Sequence, residues 1–104
     1  MAEPSQFVTK VLNIMTPLGD VRAKRMFGGW GLFLEGTMFA LINKGDELFL
    51  KADGENKDAF LAQGSGTHGK MPYYAAPAGS LESWQAMEGW AKGAVAASLR
   101  AKKK

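Results

Sequence analysis

Features that define several protein classes are missing from this sequence. It contains no cysteine, so a disulfide scaffold, a thiol nucleophile and a thiolate metal site are excluded. No apolar run approaches the roughly 20 residues that cross a bilayer. Residues 1–6 have neither the basic region nor the apolar region of a secretion signal. We therefore expect a soluble cytoplasmic protein that makes no membrane contact.

The sequence also has little net charge once its C-terminal end is set aside. Thirteen Lys and Arg residues against ten Asp and Glu residues give +3. This excess equals the contribution of the last three residues, Lys102, Lys103 and Lys104. Because the rest of the chain is neutral, its composition does not predict a nucleic-acid-binding protein. Nucleic-acid contact through the three lysines alone would be weak and non-specific.

Length and apolar content predict one folded domain over residues 1–104. A chain of 104 residues that is 46% hydrophobic can form a single core. Aromatic residues make up 11% of the sequence and need burial, which argues against disorder.

Apolar residues recur at helical spacing near both ends of the chain. The N-terminal set consists of Phe7, Val8, Val11, Leu12 and Met15. Ser5 is the expected N-cap of this helix, and Pro17 the residue that ends it. A second apolar stripe predicts a C-terminal helix over about 81–102, capped by Ser80 or Ser83.

Between these helices the pattern becomes that of short strands separated by turns. The predicted strands cover residues 22–27, 30–35, 38–42, 48–50 and 71–76. Gly28-Gly29 and Glu35-Gly36 supply two of the turns. Asp53 is expected to cap a short helix around residues 59–61, which Gly64 closes.

This order predicts an α+β fold with the sequence α-β-β-β-β-α-β-α. It contains an antiparallel sheet of four to five strands, helices at both termini and one short internal helix. We expect one face of the sheet to pack on the terminal helices. The other face would be open to water or bound to a partner.

The glycine-rich segment 64–70 matches the sequence pattern of nucleotide-binding loops, but the predicted elements on either side of it do not. In the phosphate-binding motifs a strand precedes the loop and a helix follows it. Here a helix precedes the loop and a strand follows, and Met71 replaces the hydroxyl residue. His68 is the only histidine, so no second imidazole is present to complete a metal site. We therefore predict no cofactor, no metal ion and no catalytic residue.

One short basic cluster lies within the first predicted strand. Arg22 and Lys24 would share one face of that strand, and Arg25 would lie on the other. Such charges protect an edge strand from unwanted pairing, or they form a recognition patch for an acidic partner or a phosphate; the sequence leaves both alternatives open. Strand alternation sends Trp30 and Phe33 to opposite faces, so some aromatic surface is available for a protein interface.

The segments around this cluster resemble a known protein family. Residues 22–32, RAKRMFGGWGL, are similar to the signature of the N-terminal domain of the TfoX/Sxy competence regulators. The segments MFALI (38–42), ELFLKAD (47–53) and MPYY (71–74) continue the similarity in order, followed by Pro77 and by Trp90-Ala91 in the last helix. Full-length members carry a second, helical C-terminal domain, and this sequence stops where that domain would begin. We therefore expect a stand-alone N-terminal domain.

The resemblance implies a bacterial co-regulator that acts with the cAMP receptor protein to switch on competence genes. We therefore predict a non-enzymatic, cytoplasmic regulatory module that binds a protein partner such as a transcription factor, and a homodimer is left open. The predicted contact residues are Arg22, Lys24, Arg25, Gly28, Gly29 and Trp30. The alternative is a direct, low-specificity nucleic-acid-binding protein that uses this strip together with Lys102, Lys103 and Lys104.

Overall fold

The fold follows the predicted order of helices and strands. A computed structural model of the chain describes residues 6–26, 29–67, 69, 72–77 and 79–102. Its helices are α1 (Gln6–Ile14), α2 (Lys57–Ala62) and α3 (Trp84–Lys102). Its strands are β1 (Val21–Met26), β2 (Gly29–Leu34), β3 (Thr37–Ile42), β4 (Leu48–Lys51) and β5 (Tyr73–Ala75). Two short 3-10 turns, Thr16–Leu18 and Ser80–Glu82, complete the order, and the predicted α+β fold is confirmed.

The strands form one antiparallel sheet in which each strand pairs with its neighbour in sequence. The spatial order is β1-β2-β3-β4-β5, so β1 and β5 are the edges. Glu35 and Gly36 connect β2 to β3 with φ angles of 52° and 83°. Two successive positive φ angles give a turn whose twist matches that of the strands it joins, which explains the tight hairpin. The turn predicted at these two residues is therefore confirmed.

One face of the sheet packs against α1 and α3 and forms the main core. The largest fully buried side chains are those of Val8, Val11, Met15, Leu32, Phe39, Ile42, Leu50, Phe60 and Met87. A β-bulge shapes this face, because Leu32 pairs with Ala40 whereas Phe33 pairs with Met38. Phe39 is the extra residue, and the bulge lets both Phe39 and Ala40 enter the core.

The observed helix starts differ from the predicted cap of α2 and decide between the two predicted caps of α3. α2 begins at Lys57, with Asn56 rather than Asp53 at the capping position, so the predicted Asp53 cap is wrong. Asp53 begins the preceding turn, where its carboxylate accepts the Glu55 N–H at 2.9 Å. At α3, the Ser83 hydroxyl accepts the Ala86 N–H at 3.2 Å, which makes Ser83 the cap. The predicted roles of Ser5 and Gly28 lie outside the described residues.

Candidate partner-binding surface

β1 distributes the predicted basic residues over both faces of the sheet. Val21 and Ala23 pack against the main core. Because side chains alternate along a strand, Arg22 and Lys24 lie on the opposite face, which we call the open face. Both are exposed. Arg25 has the parity of the core-facing residues and is exposed at the margin of the sheet. We call Arg22 and Lys24 the basic pair.

The two members of the basic pair differ in their electrostatic surroundings. The Arg22 guanidinium donates from Nε to Asp20 Oδ2 at 3.0 Å, and its Nη2 lies 2.9 Å from the same oxygen. Both side chains are largely exposed, and such exposed ion pairs are weak and exchange readily with other charges. Lys24 has no ion-pair partner among the residues that the structure describes. The pair therefore presents cations that an incoming carboxylate can reach.

A shallow cleft of about 580 Å³ adjoins the basic pair. It is lined by Asp20, Arg22, Ala23, Lys24, Phe33, Glu35 and Gly36. Phe33 is directly opposite Arg22 in the β1–β2 register and is half-buried. The cleft thus combines an aromatic surface with charges of both signs. Mixed apolar and charged surfaces of this kind are typical of protein–protein interfaces.

Arg25 and Trp30 form a separate contact away from the basic pair. They are opposite each other in the β1–β2 register, and the Arg25 guanidinium lies 5.8 Å from the centre of the Trp30 ring. At this distance the cation is attracted to the ring face. Trp30 also packs against the main core. The structure therefore divides the predicted strip into an exposed pair on the open face and an Arg25–Trp30 contact on the other.

Close packing surrounds two glycines of β2, with backbone atoms at Gly29 and side-chain atoms at Gly31. A Cβ atom at Gly29 would lie 2.1 Å from the Ile42 carbonyl oxygen, so only glycine fits there without a backbone shift. At Gly31 a Cβ atom would lie 2.7 Å from the Met26 Sδ atom. Gly29 is buried, and this geometry gives it a packing role. Gly28, the other glycine of the predicted strip, lies outside the described residues.

An apolar cluster on the open face was not assigned by sequence reasoning. Leu41, Phe49 and Tyr73 are buried together, with Met38 and Ala75 packed against them. The Lys51 ammonium lies 5.2 Å from the centre of the Tyr73 ring, and burial raises the pKa of the Tyr73 phenol above its ordinary value. The available signal was strand parity, because Leu41 and Phe49 alternate with residues that face the helices.

Gly66 and Thr67 of the glycine-rich segment pair with the opposite edge of the sheet. The Ala75 N–H donates to the Gly66 carbonyl at 2.8 Å, and Thr67 forms an isolated bridge with Tyr74. Gly66 and Thr67 thus lie along the outer side of β5. The glycine-rich segment follows α2 and precedes β5 in the chain, which is the reverse of the phosphate-loop order. His68 lies outside the described residues, as do the side chain of Lys102 and all of Lys103 and Lys104.

The most strongly perturbed carboxyl group belongs to a structural ion pair. Arg100 donates from Nε to Asp53 Oδ2 at 2.6 Å and from Nη2 to Oδ1 at 2.9 Å. Arg100 Nε also lies 3.2 Å from Glu55 Oε2. The hydrogen bonds from Arg100 hold the pKa of Asp53 well below its ordinary value of 3.8. This bidentate pair ties the end of α3 to the turn that follows β4.

Two further findings concern only the described residues. Their helices include none that is long and apolar enough to cross a membrane. Their Asp and Glu side chains include no group of three or more that converges to hold a metal ion.

The fold and this surface define a small α+β domain whose antiparallel sheet is packed on one face and exposes a basic strand at one edge. The family model described as the TfoX N-terminal domain matches residues 13–98. The chain belongs to this family, as the sequence resemblance predicted. No curated protein matches the chain. Membership in the family implies a role related to competence and DNA transformation.

Proposed function

We propose that this domain is a non-enzymatic regulatory module of the competence system that binds a transcription factor such as the cAMP receptor protein. The observation that carries the proposal is the basic pair beside the cleft that Phe33 lines, on the edge strand of the sheet. Surfaces that mix apolar and charged side chains are common where one protein binds another. Membership in the TfoX N-terminal domain family supports the regulatory context.

The distribution of charge favours a protein partner over direct nucleic-acid binding. A DNA-binding surface needs several cations that face the same phosphate backbone. In this domain Arg22 and Lys24 lie on the open face, whereas Arg25 contacts Trp30 on the other. Asp20 and Glu35 line the same cleft as the basic pair, so this surface carries charges of both signs. A protein partner can satisfy charges of both signs.

The proposal assigns no proton transfer to the perturbed carboxyl group of the domain. A general base works best when its pKa is close to the working pH. The pKa of Asp53 is instead held low by Arg100, so the carboxylate stays ionised and bound at neutral pH. This supports a structural role for Asp53.

The proposed function can be tested by capture of the purified cAMP receptor protein, in the presence and absence of competence-promoter DNA. We expect wild-type protein to capture it, and Arg22→Gln/Lys24→Gln to capture it at least about fivefold less, since two exposed charge pairs contribute roughly this factor. The matched control is Lys10→Gln/Lys44→Gln, which removes the same charge from exposed positions on α1 and the β3–β4 turn. Absence of capture by the wild type would contradict the proposal, as would equal capture by both double variants.

Two further measurements address the alternative functions. Direct nucleic-acid binding predicts band shifts at low salt that weaken steeply as salt increases, and we expect none with the isolated domain. A nucleotide-binding function predicts a higher melting temperature at millimolar ATP, GTP or NAD, because ligands that bind the folded state stabilise it. We expect no change; a clear increase with any of the three would show a nucleotide site that the proposed function does not include.

A further inference from the structure

The outer side of β1 has backbone groups available for pairing. At the other edge of the sheet, β5 already receives the segment around Gly66. Val21 donates its N–H to the Gly19 carbonyl at 2.9 Å rather than to β2. Successive amides of a strand point to alternate sides, so the N–H groups of Ala23 and Arg25 also point away from β2. In the part of the chain that the structure describes, no strand pairs with this side of β1.

The side chains of β1 specify the charge of a strand that could pair there. The strand VRAKRM carries three cations and no anion. Directly opposite residues of adjacent antiparallel strands share a face and lie within contact distance, so opposite charges at such positions stabilise the pairing. Arg22 and Lys24 lie two residues apart on the open face. A strand with carboxylates two residues apart would therefore place one opposite each cation.

A second copy of the same chain does not meet this requirement. Two β1 strands related by a two-fold axis perpendicular to the sheet would pair residues of the same parity. In the central register, Arg22 of one copy lies opposite Lys24 of the other. If each strand slides by one residue, either the two Arg22 side chains or the two Lys24 side chains lie opposite each other. Like charges in such positions are destabilising. The basic pair therefore disfavours edge-to-edge dimerisation and favours an acidic chain.

We propose that the outer side of β1 binds an extended acidic segment of a partner protein as an additional strand, with carboxylates two residues apart opposite Arg22 and Lys24. The segment accepts hydrogen bonds from the N–H groups of Ala23 and Arg25. Its carboxylate opposite Arg22 displaces Asp20 from an exposed ion pair, which requires no rearrangement of the core. The proposal rests on the proposed function, because it describes how the domain would hold its partner.

The test uses a capped peptide of about eight residues in which valine and glutamate alternate, a length that spans one edge strand. Glutamine replaces glutamate in the control peptide. Binding to isotope-labelled protein is followed by amide chemical shifts and hydrogen exchange. We expect shifts centred on β1, and amide exchange of Ala23 and Arg25 slowed at least about tenfold at saturation. The glutamine peptide should bind about fivefold more weakly, since it lacks the two charge pairs.

Two protein variants separate the backbone and charge contributions. Ala23→Pro removes an N–H that β2 does not use, a change that edge strands tolerate, and should abolish peptide binding. Arg22→Gln/Lys24→Gln leaves the backbone intact. It should lower the affinity for the glutamate peptide to that of the wild type for the glutamine peptide. Lys10→Gln/Lys44→Gln should bind as wild type does. A melting temperature close to that of the wild type confirms that Ala23→Pro is folded. If Ala23→Pro does not fold, the Arg22→Gln/Lys24→Gln variant decides whether the added strand is correct.

The outcomes distinguish this proposal from the proposed function. If the wild type captures the transcription factor and Ala23→Pro captures it equally, the partner function stands and the added strand is refuted. If the peptide binds β1 but the transcription factor is not captured, the added strand stands and the named partner is refuted. Peptide-induced shifts confined to other elements, or self-association that Ala23→Pro abolishes, would also overturn the added acidic strand.

Discussion

Substitution of Gly29 by alanine separates packing from recognition within the predicted contact strip. The new Cβ atom would lie 2.1 Å from the Ile42 carbonyl oxygen and 3.0 Å from the Asn43 Cα atom, whereas ordinary contacts begin at 3.4 Å. Both obstacles are backbone atoms, so β2 must move away from the end of β3. Overpacking typically costs about 1–3 kcal/mol, and we expect the upper end of this range because no side chain can rotate away.

A loss of about 3 kcal/mol corresponds to a decrease in melting temperature of roughly 12–24 °C for a domain of this size. The measurement is urea unfolding followed by tryptophan fluorescence, together with a thermal scan. Gly54→Ala is the matched control, because no atom lies within 4 Å of its added Cβ and its φ angle is not in the left-handed region. Its stability should change by less than about 0.5 kcal/mol. Equal stability of the two variants would refute the packing role of Gly29.

The remaining predictions concern stability away from the candidate surface. Because Arg100 lowers the pKa of Asp53 below its ordinary 3.8, this carboxylate stabilises the fold at pH values above about 4, and the contribution is lost as the pH falls further. Urea midpoints should therefore decrease more between about pH 5 and pH 3 for the wild type than for Asp53→Asn, and parallel curves would contradict this. Phe60→Ala should cost about 3–5 kcal/mol, since its ring is buried and lies 5.5 Å from that of Tyr74 and 4.9 Å from that of Trp90. Its exposed neighbour Leu61 should tolerate alanine within about 0.5 kcal/mol, and equal costs for the two would show that the assigned core is wrong.

Local patterns in the sequence were sufficient to predict the secondary-structure order and the faces of the strands. The turn at Glu35-Gly36 has a specific backbone requirement that its glycine meets. The faces of β1 follow from alternation alone, so Arg22 and Lys24 could be assigned to one side. These features depend on residues close together in the chain, which is why a single sequence determines them.

Features that depend on distant residues could not be predicted in the same way. Aspartate is a common residue type at helix N-caps. The carboxylate of Asp53 is nevertheless bound by Arg100, which is 47 positions away. The bulge at Phe39 arises from the register between β2 and β3, and the uninterrupted apolar run of β3 gives no sequence signal of it. The requirement for Gly29 comes from the Ile42 carbonyl on the neighbouring strand. In each case the determining partner is known only once the sheet is assembled.

Arg22 and Lys24 lie on a different face of the sheet from Arg25, and this determines how substitutions of the three residues should be interpreted. Removal of Arg25 takes a cation from the face of Trp30, whose ring packs against the main core. A triple alanine variant of Arg22, Lys24 and Arg25 would therefore alter both the surface and the packing beneath it. Loss of partner binding by that variant would not show which change was responsible. The double substitution of Arg22 and Lys24 changes only exposed side chains on the open face, so a binding defect in it can be assigned to the surface itself.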